Sequence, residues 1–596
     1  MHHASCDCDR GRRPLTAGDS ATRPPVAFDG VPRVHRVGTF GYIARPMAEL
    51  TINGKKHAFK PGQTILQAAL DADIEIPHYC YHPGLSVVAN CRICLAEVWA
   101  PNPRSGRLEP LPKLVPTCQQ TASEGMVVYT DSPKATANQK AVMEFLLINH
   151  PVDCPVCDQA GECHLQDYSY QYGRGQSRFT EAKNKQPKKD IGPHVLLYSD
   201  RCIMCTRCVR FTREVTETNE LMVDGRGSTE QIDVFPGMAL DNELSGNVVD
   251  LCPVGALLDK DFLFQQRVWF LKKTPSIDGL TSSGDNISVE HNDGRVYRVK
   301  PRPNAEVNQW WITDEVRYGW KFAHSEARLT MPAIKGRDAF DPLEPAKAWS
   351  EAVAAVDAAM TRLSSVEKKG LALLVSPMLS CEDAYHLARY ALSVDPEALL
   401  AVGPVPVSGE DKTFRGGFTI RAEKAPNARG VRRVLEALAG GRPVANAQGF
   451  EQALASGRFG AAIVTGNYPS DWVTASMSSA LAKVATVVAI DTLPNAATAM
   501  ATVVLPGAVW LEKAGTFENA TGRLQGFEKA IDPVEWAKSE SQIALDLAAA
   551  RAGRAPLGYS SDTTRAEMAK VAGLESMTAA HHAPVHRETV DSDMVL

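Results

Sequence analysis

The stretch that decides the fold runs from Cys80 to Cys252 and holds eleven of the 14 cysteines in the chain. Its most informative part is Arg201-Cys202-Ile203-Met204-Cys205-Thr206-Arg207-Cys208, in which three thiols stand three residues apart. Cys252-Pro253 follows farther along the chain. Thiols this closely spaced surround one short loop, which favours binding of a common metal centre over pairing with distant cysteines.

The remaining members of this stretch form two further groups of candidate ligands. One group has the spacing C-x10-C-x2-C-x23-C, and the other is three cysteines preceded by a histidine. Eleven thiols and one imidazole make twelve ligands, which is three sites of four. The three groups are Cys80, Cys91, Cys94 and Cys118; His150, Cys154, Cys157 and Cys163; and Cys202, Cys205, Cys208 and Cys252.

The ligand pattern predicts iron–sulfur clusters. Both two-iron and four-iron clusters are held by four ligands, usually thiolates, and a C-x2-C-x2-C triplet with a distant Cys-Pro suits a four-iron core. Structural zinc more often uses two separated C-x2-4-C pairs. A disulfide framework would add little to so long a chain, so the cysteines also indicate a reducing compartment, either the cytosol or an organelle matrix.

The group that begins with His150 is the least usual of the three. Without the histidine, Cys154, Cys157 and Cys163 would leave one ligand position open, and His164 is the local competitor for that role. A neutral imidazole makes a cluster less negative than a fourth thiolate would, and should make it easier to reduce. The spacing therefore predicts His150 as the first ligand.

Composition limits the remaining possibilities. A length of 596 residues suggests about four domains. The net charge of −5 shows no basic excess, which argues against a nucleic-acid partner. Apolar runs such as 503–511 are far shorter than the ~18 residues of a spanning helix. Any membrane association is therefore expected to come through partner subunits.

The chain divides into six predicted regions. Residues 1–46 read as a disordered extension, with Met47 as a possible true start. In 47–130 a hairpin turning at Asn53-Gly54 precedes a helix capped by Thr64, the order found in plant-type ferredoxins. Residues 131–272 carry two four-iron sites, and Cys252-Pro253 is predicted to open a helix. The others are a β-rich region (273–330), a parallel α/β domain (331–553) and a flexible tail (554–596).

This order of groups resembles the large iron–sulfur subunit of NADH:quinone oxidoreductase, respiratory complex I. The motifs that carry the resemblance are Ile76-Pro77-His78-Tyr79-Cys80-Tyr81-His82-Pro83, Asn90-Cys91-Arg92-Ile93-Cys94, Asn149-His150-Pro151-Val152-Asp153-Cys154-Pro155-Val156-Cys157-Asp158 and 201–208. The resemblance implies a [2Fe-2S] cluster on Cys80, Cys91, Cys94 and Cys118. It also implies [4Fe-4S] clusters on His150, Cys154, Cys157 and Cys163, and on Cys202, Cys205, Cys208 and Cys252.

The resemblance further implies an electron relay. A flavin on a partner subunit would take hydride from NADH, and electrons would pass one at a time through these clusters and others on peripheral-arm subunits toward quinone. The expected location is the cytoplasmic face of the inner membrane, peripherally bound, with the mitochondrial matrix side as the alternative. The rival functions are an electron-transfer subunit of a soluble NAD-linked hydrogenase or formate dehydrogenase, and a zinc-organised scaffold.

The C-terminal part resembles a molybdopterin oxidoreductase domain that has lost its chemistry. The sequence Glu512-Lys513-Ala514-Gly515-Thr516-Phe517-Glu518-Asn519 with Gly522-Arg523 carries this resemblance. Gly515 and Gly522 are predicted to serve turns, and no molybdopterin is expected. The 276–287 stretch contains no cysteine for a fourth cluster, and the lone Cys381 reads as a small buried apolar residue.

Overall fold

A computed structural model describes residues 48–367 and 369–579 and the backbone of 581–582. The predicted extension 1–46, Met47, and residues 580 and 583–596 of the predicted tail lie outside the described residues. From Ala48 onward the described residues form one compact unit. None of the helices in this part of the chain is both long and apolar enough to cross a membrane.

The first described region is a β-sheet with one packed helix. Asn53 and Gly54 both have positive φ, 46° and 82°, which gives the primed hairpin turn that the sequence predicts. Ile52 also pairs in parallel with Val128, which brings a distant strand into the sheet centre. In spatial order the strands are Lys55–Phe59, Ala48–Ile52, Val127–Tyr129, Leu95–Pro101 and Leu108–Pro110, with Val115–Pro116 beside Leu95–Pro101.

Helix Ile65–Asp71 closes the core of this sheet. The Thr64 hydroxyl accepts from the Gln67 N–H at 3.2 Å, and the Gln67 side chain accepts from the Thr64 N–H at 2.9 Å. This reciprocal capping box starts the helix at the predicted residue. Ile65 and Leu66 are buried in the same core as Leu50, so the hairpin and helix hold the following cysteine loop on a rigid base.

The four-iron region combines short helices with two small sheets. Its helices are Pro133–Asn149, His164–Tyr172, Arg207–Glu214 and Asn247–Leu251. Its strands are Lys188–Asp190, Val195–Tyr198 and Leu257–Asp259 in one sheet, and Leu221–Asp224 and Gln231–Val234 in the other. The cysteines of this region lie in connections between these elements, except that Cys208 is in the first turn of helix Arg207–Glu214.

The predicted helix after Cys252-Pro253 is wrong. Helix Asn247–Leu251 ends immediately before Cys252, and Leu257–Asp259 is a strand in which Leu257 pairs with Leu197. The Tyr198 N–H also donates to Ala256 O at 2.7 Å. Leu257–Asp259 forms a strand in place of the predicted helix because the strand satisfies backbone groups of Val195–Tyr198 that would otherwise be buried without partners.

The β-rich region and the α/β region follow the predicted patterns. The first is an antiparallel meander of Lys272–Ile277, Asn286–Asn292 and Arg295–Pro301. The second has a sheet in the spatial order Ala333–Ile334, Val503–Pro506, Thr486–Asp491, Phe459–Thr465, Gly370–Val375 and Leu399–Val402. All pairs in that sheet are parallel except the first. The predicted parallel α/β architecture is confirmed.

Helices pack around this sheet, and the C-terminal region has two further small sheets. The helices from the β-rich region onward are Asp314–Tyr318, Pro345–Arg362, Cys381–Val394, Ala428–Leu438, Ala447–Ala455, Ala475–Leu481, Ala496–Met500, Glu540–Arg551 and Ser561–Met568. The remaining strands are Lys412–Thr413 with Thr419–Ile420, and Gly515–Glu518 with Leu524–Phe527 and His581–His582. Cys381 is fully buried, as predicted.

Packing crosses the predicted boundary at residue 330. Trp510 and Phe517, from the C-terminal region, share one core with Ile277 and Ile287 of the β-rich meander. Phe414 and Phe418, on the short hairpin after Leu399–Val402, lie in the core of the four-iron region. The C-terminal region therefore supports the cysteine-bearing half through direct contact.

Two further expectations differ from the structure. Gly522 has φ 80° and does serve a turn, but Gly515 begins a strand where a Cβ would lie 2.6 Å from Cβ of Ser380. Gly515 therefore permits close packing. The predicted flexible tail contains helix Ser561–Met568, and Met568 is fully buried in the α/β core.

Candidate iron–sulfur cluster sites

The first cysteine group converges in the ferredoxin-like region. The Cys80 sulfur interacts with the Cys118 and Cys91 thiols, and Cys118 also interacts with Cys94. Hydrogen bonding from Cys118 and Cys91 lowers the pKa of Cys80, and that from Cys118 lowers the pKa of Cys94 to about 7. The pKa values of Cys91 and Cys118 rise in return. A chain of interactions from Cys91 through Cys80 and Cys118 to Cys94 brings the four thiols to one place, as a two-iron core needs.

Unusual backbone geometry shapes the loop that carries this group. Ala89 and Arg92 have φ of 49° and 62°, a left-handed conformation that costs energy for residues with a side chain. The Thr117 hydroxyl donates to Cys94 O at 3.0 Å, which ties the distant Cys118 to the loop. The surrounding fold thus holds the loop in a conformation suited to directing its sulfurs inward.

The third group lines one pocket together. Cys202, Cys205, Cys208 and Cys252 surround it with Ile203, Val254, Ala256 and Leu257. Met204 and Thr206, between the triplet cysteines, have φ of 52° and 59°. The chain therefore turns sharply at Met204 and again at Thr206, and helix Arg207–Glu214 begins directly after the second turn. Thr206 and Arg207 also line the pocket, and four thiols in such a largely apolar enclosure fit a four-iron core.

Backbone N–H groups point at the sulfurs of this pocket. Met204 N–H donates to Cys202 Sγ at 3.3 Å. The N–H groups of Val254, Leu257 and Ala256 donate to the sulfur of Cys252. Hydrogen bonds to ligand sulfur are one of the means by which a protein sets a cluster's potential.

Burial raises the pKa of all four thiols in this pocket. The pKa of Cys205 reaches about 11, and those of Cys202, Cys208 and Cys252 also rise. The free thiols are therefore neutral at pH 7, and binding of a metal centre would have to release their protons.

The second group is less closely assembled. Cys157 and Cys163 are buried, whereas Cys154 is the one exposed side chain among the eleven candidate cysteine ligands, all of which lie in the described residues. Electrostatic interactions link Cys157 to Cys154 and Cys163 to Cys157. Val152 and Val156, on either side of Cys154, are 83% and 58% exposed.

His150 ends helix Pro133–Asn149 at the edge of this group. Its Nδ1 atom is buried and has no hydrogen-bond partner. Burial, followed by the charges of Arg201 and Lys183, lowers the pKa of His150 to about 4. The imidazole is therefore neutral and has a free nitrogen, as a ligand needs. His164 is exposed at the start of the next helix, and the assignment of His150 remains a prediction.

No three His, Cys, Asp or Glu side chains in the described part of the chain converge closely enough to hold a single metal ion.

The structure adds buried arginines that sequence reasoning missed. Arg201, Arg207 and Arg210 are 2%, 6% and 4% exposed beside the triplet. The signal available in the sequence was that these arginines stand close to candidate ligand cysteines. A charged residue is almost never buried without a partner, so a role beside the candidate cluster site could have been inferred.

Replacement of His150 by cysteine tests the ligand assignment. We expect the cluster to persist with a lower reduction potential, because a thiolate adds negative charge where the imidazole is neutral. An EPR-monitored redox titration measures this shift. The matched control is His164→Cys at the exposed neighbouring site, which should leave the potential unchanged. An unaltered potential in His150→Cys would exclude His150 as a ligand.

Comparison with known proteins defines the class of these sites. A 2Fe-2S iron-sulfur cluster binding domain model matches residues 45–133. The NADH-ubiquinone oxidoreductase-G iron-sulfur binding region matches 139–178, and the NADH-quinone oxidoreductase subunit 3, ferredoxin-like domain matches 192–258. The chain therefore contains two-iron and four-iron cluster-binding domains.

The resemblance to the large iron–sulfur subunit of complex I is confirmed by curated relatives. The chain is 45% identical over 307 residues to the NADH-ubiquinone oxidoreductase 78 kDa subunit, mitochondrial, of Neurospora crassa, covering 51% of this chain and 39% of that protein. It is 41% identical over 345 residues to the NADH dehydrogenase [ubiquinone] iron-sulfur protein 1, mitochondrial, of Solanum tuberosum, covering 57% of this chain and 45% of that protein. The matched stretches thus span less than half of these relatives.

The chain is 28% identical in sequence to a solved structure of an NAD+-reducing [NiFe]-hydrogenase in the H2-reduced state. The match covers 37% of this chain and 91% of the hydrogenase chain, with a TM-score of 0.32.

An NDSU1/NuoG-like 4Fe-4S domain model also matches residues 271–321. That segment has no cysteine here, so its side chains do not supply the thiolates of a further cluster.

A molybdopterin oxidoreductase model matches residues 433–550, and the side chains there do not fit the cofactor. Ligands of parallel α/β sheets bind at the carboxyl ends of the strands. At that edge the buried Asp491 carboxylate already accepts from Asn467 N–H, Thr492 N–H, Trp472 Nε1 and Asn495 Nδ2. Lys513 is held between Asp383 and Glu540 in the same core. These polar groups are committed to one another.

Proposed function

We propose that this chain relays electrons within an NADH:quinone oxidoreductase. It would hold one two-iron and two four-iron clusters on the twelve ligands, and these clusters would supply one-electron chemistry when bound. The chain's own part is to place the thiolates, to donate N–H groups to sulfur and to keep water away from the buried ligands. The confirmed similarity to the large iron–sulfur subunit of complex I supports this function.

The contact between neighbouring cysteine loops is the observation that carries the proposal. Asn90 Nδ2, beside Cys91, donates to Met204 O within the triplet at 3.3 Å. On the other side, a Cβ at Gly255 would lie 2.2 Å from Cys157 Sγ, so the Cys252 loop touches the second group. The all-cysteine four-iron site therefore adjoins both others, as a relay requires.

Electron entry and exit are assigned to partner subunits. The flavin and NADH site would lie on one partner, and further clusters and the quinone site on other peripheral-arm subunits. The exposed Cys154 supports exchange with a neighbour at the His150 group, because an exposed ligand brings its cluster to the protein surface. The assembly would be peripheral, on the cytoplasmic face of the inner membrane or the mitochondrial matrix side, with membrane contact through partners.

Iron and acid-labile sulfide analysis of the anaerobically purified chain tests this function. We expect about ten irons per chain with matching sulfide, from one two-iron and two four-iron centres. NADH should leave the isolated chain oxidised, and addition of the flavin-bearing partner should allow its reduction. A colourless, iron-free protein, or one that contains zinc alone, would contradict the proposal.

A further inference from the structure

Two buried arginines lie where the two-iron group meets the all-cysteine group. Arg207 and Arg210 belong to helix Arg207–Glu214, which begins inside the cysteine triplet. Their relative exposures are 6% and 4%. Each guanidinium is therefore removed from water, although arginine stays charged in proteins.

Both guanidinium groups bridge the ligand loops through backbone carbonyls. Arg210 Nη2 donates to Cys80 O and, at 3.4 Å, to Cys205 O, so one nitrogen contacts a ligand residue of each group. Its Nη1 donates to Ser86 O. Arg207 donates to Tyr81 O and, at 3.3 Å, to Leu251 O, beside Cys80 and Cys252 respectively.

These two arginines differ from other buried arginines in how their charge is balanced. Arg201 pairs with Asp153 at 2.8 Å, Arg328 with Glu512 at 2.8 Å, and Arg317 with Asp250. Within the described residues, neither Arg207 nor Arg210 forms a salt bridge with a carboxylate, and the Nε of each is buried without a partner. Two adjacent buried cations without an anion would be strongly unfavourable.

We propose that Arg207 and Arg210 are the shared counter-ions of the two-iron and all-cysteine four-iron centres and raise the reduction potentials of both. This inference rests on the proposed function. The anions that balance the two cations are the thiolate-ligated centres on either side. These arginines act as positioning and electrostatic residues between two relay sites.

The effect follows from simple electrostatics. Reduction adds one negative charge to a centre, and a fixed cation nearby stabilises the reduced form more than the oxidised form. In a partly buried site a single charge changes the ratio of reduced to oxidised centre by about tenfold, which is about 59 mV for a one-electron couple. A bridge that contacts both loops should affect both centres together.

The test compares Arg210→Gln and Arg207→Gln with Arg210→Lys and Arg207→Lys in the full chain. EPR-monitored redox titrations give the potentials of both centres, and iron analysis gives their occupancy. We expect each glutamine variant to lower both reduction potentials, so that the ratio of reduced to oxidised centre falls about tenfold. Each lysine variant should retain most of the original potential. The matched control is Arg213→Gln, which removes the same charge from the exposed side of the same helix.

Each outcome decides the matter. Unchanged potentials in iron-replete glutamine variants, or equal shifts in Arg213→Gln, would overturn the inference. If the glutamine variants lose iron, retention by the lysine variants supports a requirement for charge. Iron loss in the lysine variants as well would show a purely structural role. Absence of clusters from the unaltered chain would instead refute the proposed function.

Discussion

Replacement of Cys205 by alanine is expected to remove about four irons per chain and one four-iron EPR signal, because a four-iron core needs its full set of ligands. Cys205 is buried in the pocket that it shares with Cys202, Cys208 and Cys252. That pocket adjoins both other groups, so NADH-to-quinone electron flow in the assembled complex should fall to the assay background. Iron analysis, EPR and the quinone reductase rate measure these losses.

The matched control is Cys381→Ala. Cys381 is also buried, but it begins a helix of the α/β region and contacts Asn427. Iron content and electron flow should be unchanged in that variant. If electron flow persists in Cys205→Ala after its four-iron signal has gone, the all-cysteine centre is not on the route.

The largest stability effect is expected for Lys513→Met. Lys513 is fully enclosed and lies 2.8 Å from Asp383, with Glu540 as its second partner. Burial alone would lower the pKa of Lys513, but the two carboxylates raise it, so the amine is charged. Its removal leaves two buried carboxylates without a cation, which should cost about 3–5 kcal/mol. Hydrogen exchange of amides in strand Phe459–Thr465 measures the loss.

The control for this prediction is the exposed pair of Lys529 and Asp532. Lys529→Met should change the free energy of unfolding by less than about 1 kcal/mol, because surface ion pairs contribute little. Replacing Lys513 by Met together with Asp383→Asn and Glu540→Gln should recover part of the loss. An equal cost for the triple and single variants would show that packing, and not unpaired charge, dominates.

Local sequence signals predicted the elements whose stability is local. The Asn53-Gly54 hairpin and the Thr64 cap each depend on a few neighbouring residues, and both are confirmed. Four strands of the α/β sheet, Gly370–Val375, Phe459–Thr465, Thr486–Asp491 and Val503–Pro506, are apolar runs long enough to be recognised alone. The misassigned Leu257–Asp259 segment depends on a distant partner, Val195–Tyr198, which no local pattern reveals. Gly515 depends likewise on the approach of Ser380.

The cluster sites show the same division. Their ligand types and grouping were legible because the cysteines of a loop are near one another along the chain. The sequence could not predict the burial of the cysteines, the hydrogen bonds to sulfur or the contact between groups, because these features are made by segments far apart in sequence. His150 illustrates the limit: spacing suggests it as a ligand, and the tertiary structure adds a buried, partnerless Nδ1.

The sequence by itself determined how many candidate ligands the chain offers, which atoms they present and how they group along the chain, since covalent spacing limits which side chains can reach one centre. Only the tertiary structure decided that the all-cysteine set contacts both of the others and that Arg207 and Arg210 join two of the loops. It also decided that the carboxyl edge of the α/β sheet is occupied by its own polar side chains. These features depend on long-range packing, in which the burial of a charge is set by whatever the fold places beside it.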